Sequence, residues 1–313
     1  MEKTFYGRGK LLLTGEYFVL DGALALALPA RFGQHMQVKT LSGGSNTLFW
    51  VALDSHSRPW LQASFDKRTL EPDNKSSEAL QLSKILQTCR GLNPDFLSSD
   101  EDVAVQTRLE FPRNWGLGSS STLIYCLSKW AGVNPYELQK QTVGGSGYDI
   151  ACADSDTAIL YQLKNGQPHV EKVKFSPCFK EQLLFVHLGR KQLSAAGIAH
   201  YRSTGVVKTY YIGWLDVLTR ALLQCPSIEK CRQIIEEHET YVSEALGLPR
   251  IKDTLFSHLP VSAKSLGAWG GDFALLAFYE SAALIKSRLL ESGFDTILSW
   301  DEMIFSAEKK DDC

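Results

Sequence analysis

The chain has 313 residues, 44% of them hydrophobic, and a formal net charge of −2, which is length and apolar content enough for two ordinary domains with real cores. The near-neutral balance leaves no electrostatic footprint for nucleic acid, no uninterrupted apolar run approaches the roughly 20 residues of a membrane helix, and Met1-Glu2-Lys3-Thr4-Phe5 lacks a signal-peptide core. A cytoplasmic protein with neither membrane nor nucleic-acid partners is expected. Its seven cysteines are odd in number, scattered and free of Cys-x-x-Cys spacing, which argues against a disulfide framework or a zinc site; Cys152 reads as a small buried thiol.

Alternating or short apolar runs predict strands at 10–19, 34–40, 48–53, 60–65 and 103–111, with a helix over 77–89. Leu123, Ile124, Leu127 and Trp130 then recur with helical spacing, and Asn134-Pro135-Tyr136-Glu137 reads as an N-cap, a proline at N1 and a capping-box acid at N3. A strand at 158–163, the turn Lys164-Asn165-Gly166 and a strand at 183–188 follow, and amphipathic helices are predicted over 210–223, 227–245 and 281–293. There is no internal repeat or long linker. Turn residues cluster with Pro168 and Pro177 over 166–179 and mark a domain border, giving domains 1–168 and 169–313. Glu236-Glu237-His238-Glu239 has no second histidine at metal spacing and reads as the wet face of a helix. Asp154 and Asp156 end a turn, and 308–312 read as a frayed terminus.

The most informative stretch is Phe111-Pro112-Arg113-Asn114-Trp115-Gly116-Leu117-Gly118-Ser119-Ser120-Ser121-Thr122, which sets two glycines and four hydroxyl residues at the mouth of a helix. Glycines at 116 and 118 adopt positive φ without strain and let backbone N–H groups approach a polyanion. The helix N-terminus adds its unpaired N–H groups. The pattern suits a nucleotide phosphate chain, although a strand, a turn and a Ser-rich helix start also occur in proteins that bind nothing. It is neither a Walker loop nor a dinucleotide fingerprint, since no Gly-Lys-Ser/Thr follows and the Gly-x-Gly-x-x-Gly spacing is missing.

Two further segments bear on that choice: Gly9-Lys10-Leu11-Leu12-Leu13-Thr14-Gly15-Glu16-Tyr17-Phe18-Val19-Leu20, and Lys264-Ser265-Leu266-Gly267-Ala268-Trp269-Gly270-Gly271-Asp272-Phe273-Ala274-Leu275. With the central loop, and in this order, they resemble the three signature motifs of the GHMP kinases, the superfamily of galactokinase, homoserine kinase, mevalonate kinase and phosphomevalonate kinase. Gly145-Ser146-Gly147-Tyr148-Asp149-Ile150-Ala151 resembles the loop that carries that superfamily's catalytic aspartate, in the wording of a branch known as GYDIA. The resemblance implies an α+β chain with an N-terminal ATP-binding domain like the second domain of ribosomal protein S5 and a ferredoxin-like C-terminal domain. It also implies ATP and Mg²⁺, and a small anionic acceptor, and is compatible with a homodimer.

Residue by residue, the resemblance makes Asp149 the catalytic base and Lys10 the cation that partners it; the bland alternatives are a turn aspartate and a snorkelling strand-edge lysine. Gly116, Leu117, Gly118, Ser119, Ser120 and Ser121 become the ATP-binding loop, with Ser120 a Mg²⁺ ligand. Glu16 and Tyr17 fall on the substrate side, Glu16 either orienting substrate or tying the first motif together, the bland alternative being a residue that caps a turn. Arg190, Lys191 and Ser194 match a segment that contacts acceptor, where the two cations would neutralise a carboxylate or phosphate. Gly270, Gly271 and Asp272 supply the third motif, in a form nearer to phosphomevalonate kinases. The chain departs from the pattern in two places. The interval from Ser121 to Asp149 is short and holds one carboxylate, Glu137, whose capping role competes with that of the missing metal ligand. Trp269 stands where a small residue is usual, either narrowing the site or covering a seam.

These implications make the chain an ATP-dependent small-molecule kinase acting on mevalonate or phosphomevalonate. A diphosphomevalonate decarboxylase, a sugar kinase and a non-catalytic nucleotide sensor are the alternatives on the same fold.

Overall fold

The structure is a computed structural model that describes residues 2–189 and 194–306. In chain order it forms β1 (Glu2–Leu12), β2 (Ala25–Leu41), β3 (Thr47–Leu53), β4 (Pro59–Asp66), α1 (Ser77–Leu92), β5 (Asp102–Leu109) and α2 (Ser119–Ala131). There follow α3 (Pro135–Thr142), α4 (Tyr148–Ala153), β6 (Ala158–Lys164), β7 (Gln167–Val173), β8 (Leu183–His187), α5 (Ser194–Ser203), α6 (Lys208–Leu223) and α7 (Ile228–Leu246). The last elements are α8 (Ile251–Leu255), β9 (Val261–Leu266), β10 (Phe273–Phe278), α9 (Ala282–Glu291), β11 (Ile297–Ser299) and α10 (Trp300–Met303). No helix among the described residues is long and apolar enough to cross a membrane.

The chain divides into two compact units, residues 1–9, 32–113 and 118–154 forming the first and 10–31, 114–117 and 155–313 the second. In the first, β4, β3, β5 and the second half of β2 pair in that order. The β3–β5 pair is parallel and the others antiparallel. Alternate residues of these strands point inward, and Met36, Leu48, Trp50, Phe65 and Val105 meet the apolar faces of α1 and α2 in one core. Ser76 caps α1 by accepting from Ala79 N–H, and α2 stops at Gly132, held at φ 67° in the left-handed conformation that suits a helix C-terminus.

In the second unit β8, β9, β10 and β11 form an antiparallel sheet of order β11-β8-β10-β9. Numbered along the chain this is 4-1-3-2, with α5 to α8 in the first crossover and α9 in the second. That is the ferredoxin-like arrangement expected of the C-terminal part. The same unit also holds the first half of β2 paired with β6, and the hairpin β6–β7.

The differences from the sequence reading are local and have physical causes. The first strand is Glu2–Leu12 and not 10–19. Gly15 at φ 87° and Tyr17 at φ 56° turn the chain after it, and Phe18–Asp21 coil into a short 3₁₀ turn. The Asn165-Gly166 turn has both residues at positive φ, 53° and 75°, as a tight hairpin requires, and its partner strand is β7. β7 is mostly exposed and carries Pro168 as its second residue, which an edge strand tolerates, so its sequence shows no strand pattern. β9 and β10 are buried along their whole length, so they show no alternation, and Lys264 interrupts β9. α5 is a helix without a sequence signature, since Ser194–Ser203 carries Gly197 and little amphipathic pattern.

Candidate active site

In the second unit, the three motif segments meet at one residue, Gly116. The Lys10 ammonium donates to the Gly116 carbonyl at 3.1 Å, and the Lys10 backbone N–H donates to the carbonyl of Leu117 at 2.9 Å. From the other side the Asp272 carboxylate lies so close that a Cβ on Gly116 would overlap it. Gly116 has φ 63°, and so glycine is required here for conformation as well as for space. The Asp272 carbonyl in turn accepts from Leu188 N–H at 2.9 Å. Trp115 packs its ring edge-on against Phe273, with centroids 5.5 Å apart.

The chain passes into the first unit at Gly118, which has φ 91° and stands as the N-cap of α2. The amides of Ser119, Ser120 and Ser121 precede the first intrahelical bond, Thr122 N–H to Gly118 O at 3.0 Å. They are the donors a phosphate would use. The four hydroxyls divide sharply. Ser121 is buried and donates to Gly118 O at 2.8 Å, while Thr122 is buried and donates to Gln34 Oε1 at 2.7 Å. Ser120 is exposed, so its hydroxyl is the one placed to meet a ligand.

Asp149 also belongs to the first unit, in the opening turn of α4, whose N-cap is Gly147 at φ 95°. Its Oδ1 accepts from Gln139 Nε2 at 2.9 Å and from Ile150 N–H at 3.1 Å. Gln139 is buried, so the carboxylate is aimed by a fixed partner; the sequence reading did not single it out. Asn134 caps α3 as expected, accepting from Tyr136 N–H at 2.9 Å and Glu137 N–H at 3.3 Å. Glu137 is not the capping-box acid expected: it turns forward along that helix and accepts from Gln141 Nε2 at 2.7 Å instead of reaching back to the N-cap. Among the described residues no group of three or more His, Cys, Asp or Glu side chains is placed to hold a metal ion.

The first and third motifs are joined inside the second unit. Tyr17 is buried, and its hydroxyl accepts from the Trp269 backbone N–H at 2.8 Å; a Cβ on Gly197 of α5 would overlap that hydroxyl. Glu16 is fully buried, with Oε1 2.5 Å from Lys264 Nζ and Oε2 3.4 Å from His238 Nε2. Burial holds the Glu16 and Tyr17 pKa values above their ordinary ranges. Trp269 sits in the apolar cluster of Phe18, Tyr201, Leu215 and Val242, its indole N–H donating to Pro249 O at 3.0 Å. It is therefore a core residue of this unit. Gly267 and Gly270 adopt φ 77° and 68°, and a Cβ on Gly271 would overlap Ala268 O, so the loop before Asp272 is tight enough to demand its glycines. Arg190 and Lys191 lie outside the described residues, as do 308–312. Ser194 is the first residue of α5.

The wet-face reading of 236–239 is overturned in part. His238 and Glu239 are not on a wet face but in the core. They fall with Cys231, Ile234, Ile235, Val242, Ala245 and Leu246 on the buried stripe of α7, a spacing the sequence displayed and the polar residue types disguised. Asp154, by contrast, does end α4, and it accepts from the Tyr125 hydroxyl. Cys152 is buried, as expected.

No protein-family model matches the sequence, and a comparison with curated proteins finds no match. Structures do match. The phosphomevalonate kinase of Streptococcus pneumoniae in complex with phosphomevalonate and AMPPNP has a TM-score of 0.70 at 16% identity, over 95% of this chain and 99% of that one. The Methanococcus jannaschii mevalonate kinase has a TM-score of 0.68 at 14% identity, over 95% and 97%. The Lactococcus lactis galactokinase complexed with galactose has a TM-score of 0.70 at 12% identity, over 99% and 95%. The fold is that of the GHMP kinases. Within the GHMP fold of this chain, the segments resembling the three signature motifs are those that meet at Gly116 or are joined through Glu16 and Tyr17, and the GYDIA segment is α4 with its glycine cap.

Proposed function

We propose that the chain is an ATP-dependent kinase that transfers the γ-phosphoryl group to a hydroxyl or phosphate of a small anionic acceptor, mevalonate or phosphomevalonate being the acceptors favoured. The observation that carries this reading is the convergence of Lys10 and Asp272 on Gly116, immediately before a helix whose first three amides face out of its N-terminus. Such a loop suits a phosphate chain, and the wording of the third motif, with Asp272 after two glycines, supports the phosphomevalonate side of the family.

In this reading Gly116 to Ser121 cradle the phosphates, Lys10 supplies positive charge, and Asp149 accepts the acceptor's proton while Gln139 fixes its orientation. Bound Mg²⁺ would offset phosphate charge. The exposed Ser120 hydroxyl suits it as one ligand, and an ion that keeps several waters tolerates so sparse a protein contribution. Arg190 and Lys191 are the proposed partners of the acceptor's anionic group, and the protein would work in the cytoplasm.

The decisive experiment measures ADP release with mevalonate, phosphomevalonate, diphosphomevalonate and galactose, with CO₂ followed in parallel. ADP without CO₂ on either of the first two supports the proposal. CO₂ release assigns a decarboxylase, turnover confined to galactose assigns a sugar kinase, and nucleotide binding without turnover assigns a sensor.

A further inference from the structure

The stretch that enters the candidate phosphate loop is tied down by its carbonyls. The Asn114 carbonyl accepts from His187 Nε2 at 3.2 Å, the Gly116 carbonyl from the Lys10 ammonium at 3.1 Å, and the Leu117 carbonyl from the Lys10 backbone N–H at 2.9 Å. A carbonyl oxygen can only accept, so His187 carries a proton on Nε2. The imidazole is itself held. His187 is the last residue of β8 and pairs with Phe273 of β10. Its backbone N–H donates to Thr296 O at 3.0 Å, and its ring centroid lies 5.1 Å from that of Phe273 and 6.2 Å from that of Trp115. All of these residues belong to the second unit.

Anchoring a carbonyl also aims an amide. In a planar trans peptide the C=O of one residue and the N–H of the next point in opposite directions, and the described residues contain no cis peptide bond. With its carbonyl turned to His187, the 114–115 peptide directs the Trp115 N–H away from that ring. With its carbonyl turned to the Lys10 ammonium, the 116–117 peptide directs the Leu117 N–H away from that cation. A loop that receives an anion must offer it N–H groups and keep carbonyl oxygens turned elsewhere, since an oxygen among the amides would repel it.

We propose that His187 is a positioning residue of the phosphate loop, its Nε2–H holding the Asn114 carbonyl so that the loop meets an anion with amides and not with oxygens. Lys10 does for the 116–117 peptide what His187 does for the 114–115 peptide. The same strand end holds the third motif, because Leu188 N–H donates to the Asp272 carbonyl at 2.9 Å. His187 and Leu188 therefore tie the entry of the loop, and the residue that fills the space beside Gly116, to the end of one strand. The inference deepens the kinase reading and rests on it in one respect, that the anion received here is the phosphate chain of a nucleotide. The His187 contact is exposed, so water replaces a lost donor in part and the effect of losing it is moderate.

The test titrates AMPPNP with Mg²⁺ into wild type, His187→Phe and His187→Gln by calorimetry, and follows the thermal unfolding of each. Phenylalanine keeps a ring against Phe273 and cannot donate; glutamine gives up the ring and can donate from its amide. His187→Phe should bind AMPPNP about three- to tenfold more weakly than wild type, and its ATP KM should rise in step while kcat at saturating ATP stays at the wild-type value. His187→Gln should regain most of the affinity even where its Tm is the lower of the two. A merely structural role gives the opposite order, with affinity following Tm and the ring. Should His187→Phe not fold, His187→Leu takes its place, since leucine also lacks a donor. Three results overturn the proposal: equal AMPPNP affinity in wild type and the variant without a donor, a glutamine variant that binds no better than that one, or a wild-type His187 imidazole protonated at Nδ1 alone in its nitrogen-15 spectrum. In each of these, AMPPNP binding by wild type leaves the kinase reading standing. A wild type that binds no AMPPNP overturns both.

Discussion

Gly116 and Asp272, 156 positions apart in the chain, are packed so that the carboxylate of one occupies the space where the other would carry a Cβ. Gly116→Ala therefore meets two obstacles, an αL conformation that costs an L-residue about 1–2 kcal/mol and the displacement of Asp272. We predict a folded protein whose ATP KM rises at least about tenfold, measured by steady-state kinetics. A wild-type ATP KM would show that the contact is incidental to the phosphate loop.

The division of labour among the loop hydroxyls gives a second prediction. Ser120→Ala should raise the Mg²⁺ concentration needed for half-maximal activity and leave stability unchanged. Ser121→Ala should do the reverse, removing the bond to Gly118 O at a cost of about 0.5–1.5 kcal/mol in denaturant unfolding. Equal magnesium titrations for the two variants would refute the assignment.

For Asp149, replacement by alanine should lower kcat by about 10²–10⁴ without changing nucleotide affinity, because the proposed base would act on the acceptor and not on the nucleotide. Gln139→Ala should lower kcat by less, since it removes only the partner at 2.9 Å that aims the carboxylate. Unchanged turnover in Asp149→Ala would leave it a turn aspartate.

Breaking the buried ion pair should be costly in a distinctive way. Lys264→Met strands Glu16 in the interior and should destabilise the protein by about 3–5 kcal/mol. Adding Glu16→Gln to it should restore part of that loss, because the stranded charge is then gone. A double variant less stable than Lys264→Met alone would show that Glu16 holds the first motif by some other contact.

Much of this was legible beforehand because it depends on short-range rules. Helix periodicity located α1, α2, α6, α7 and α9. Asn134-Pro135 announced the start of α3, and Asn165-Gly166 announced a tight turn. Glycines with hydroxyl residues before an apolar helix marked the candidate phosphate loop, and motif order pointed to the fold.

Pairings between distant residues were decided elsewhere. The resemblance made Glu16 a candidate for the substrate side, and residue types made His238-Glu239 candidates for solvent, since an isolated charge is cheapest in water. The tertiary structure placed all three beside Lys264, where opposite charge and backbone donors make burial tolerable, and no local pattern encodes that partnership. For the same reason β9 escaped notice, because a lysine in a strand reads as exposed until the carboxylates that receive it are in view. Sequence by itself determined where the strongly periodic helices and the glycine turns fall. The tertiary structure determined which charged side chains are buried against one another, because only there do opposite charges from distant segments meet.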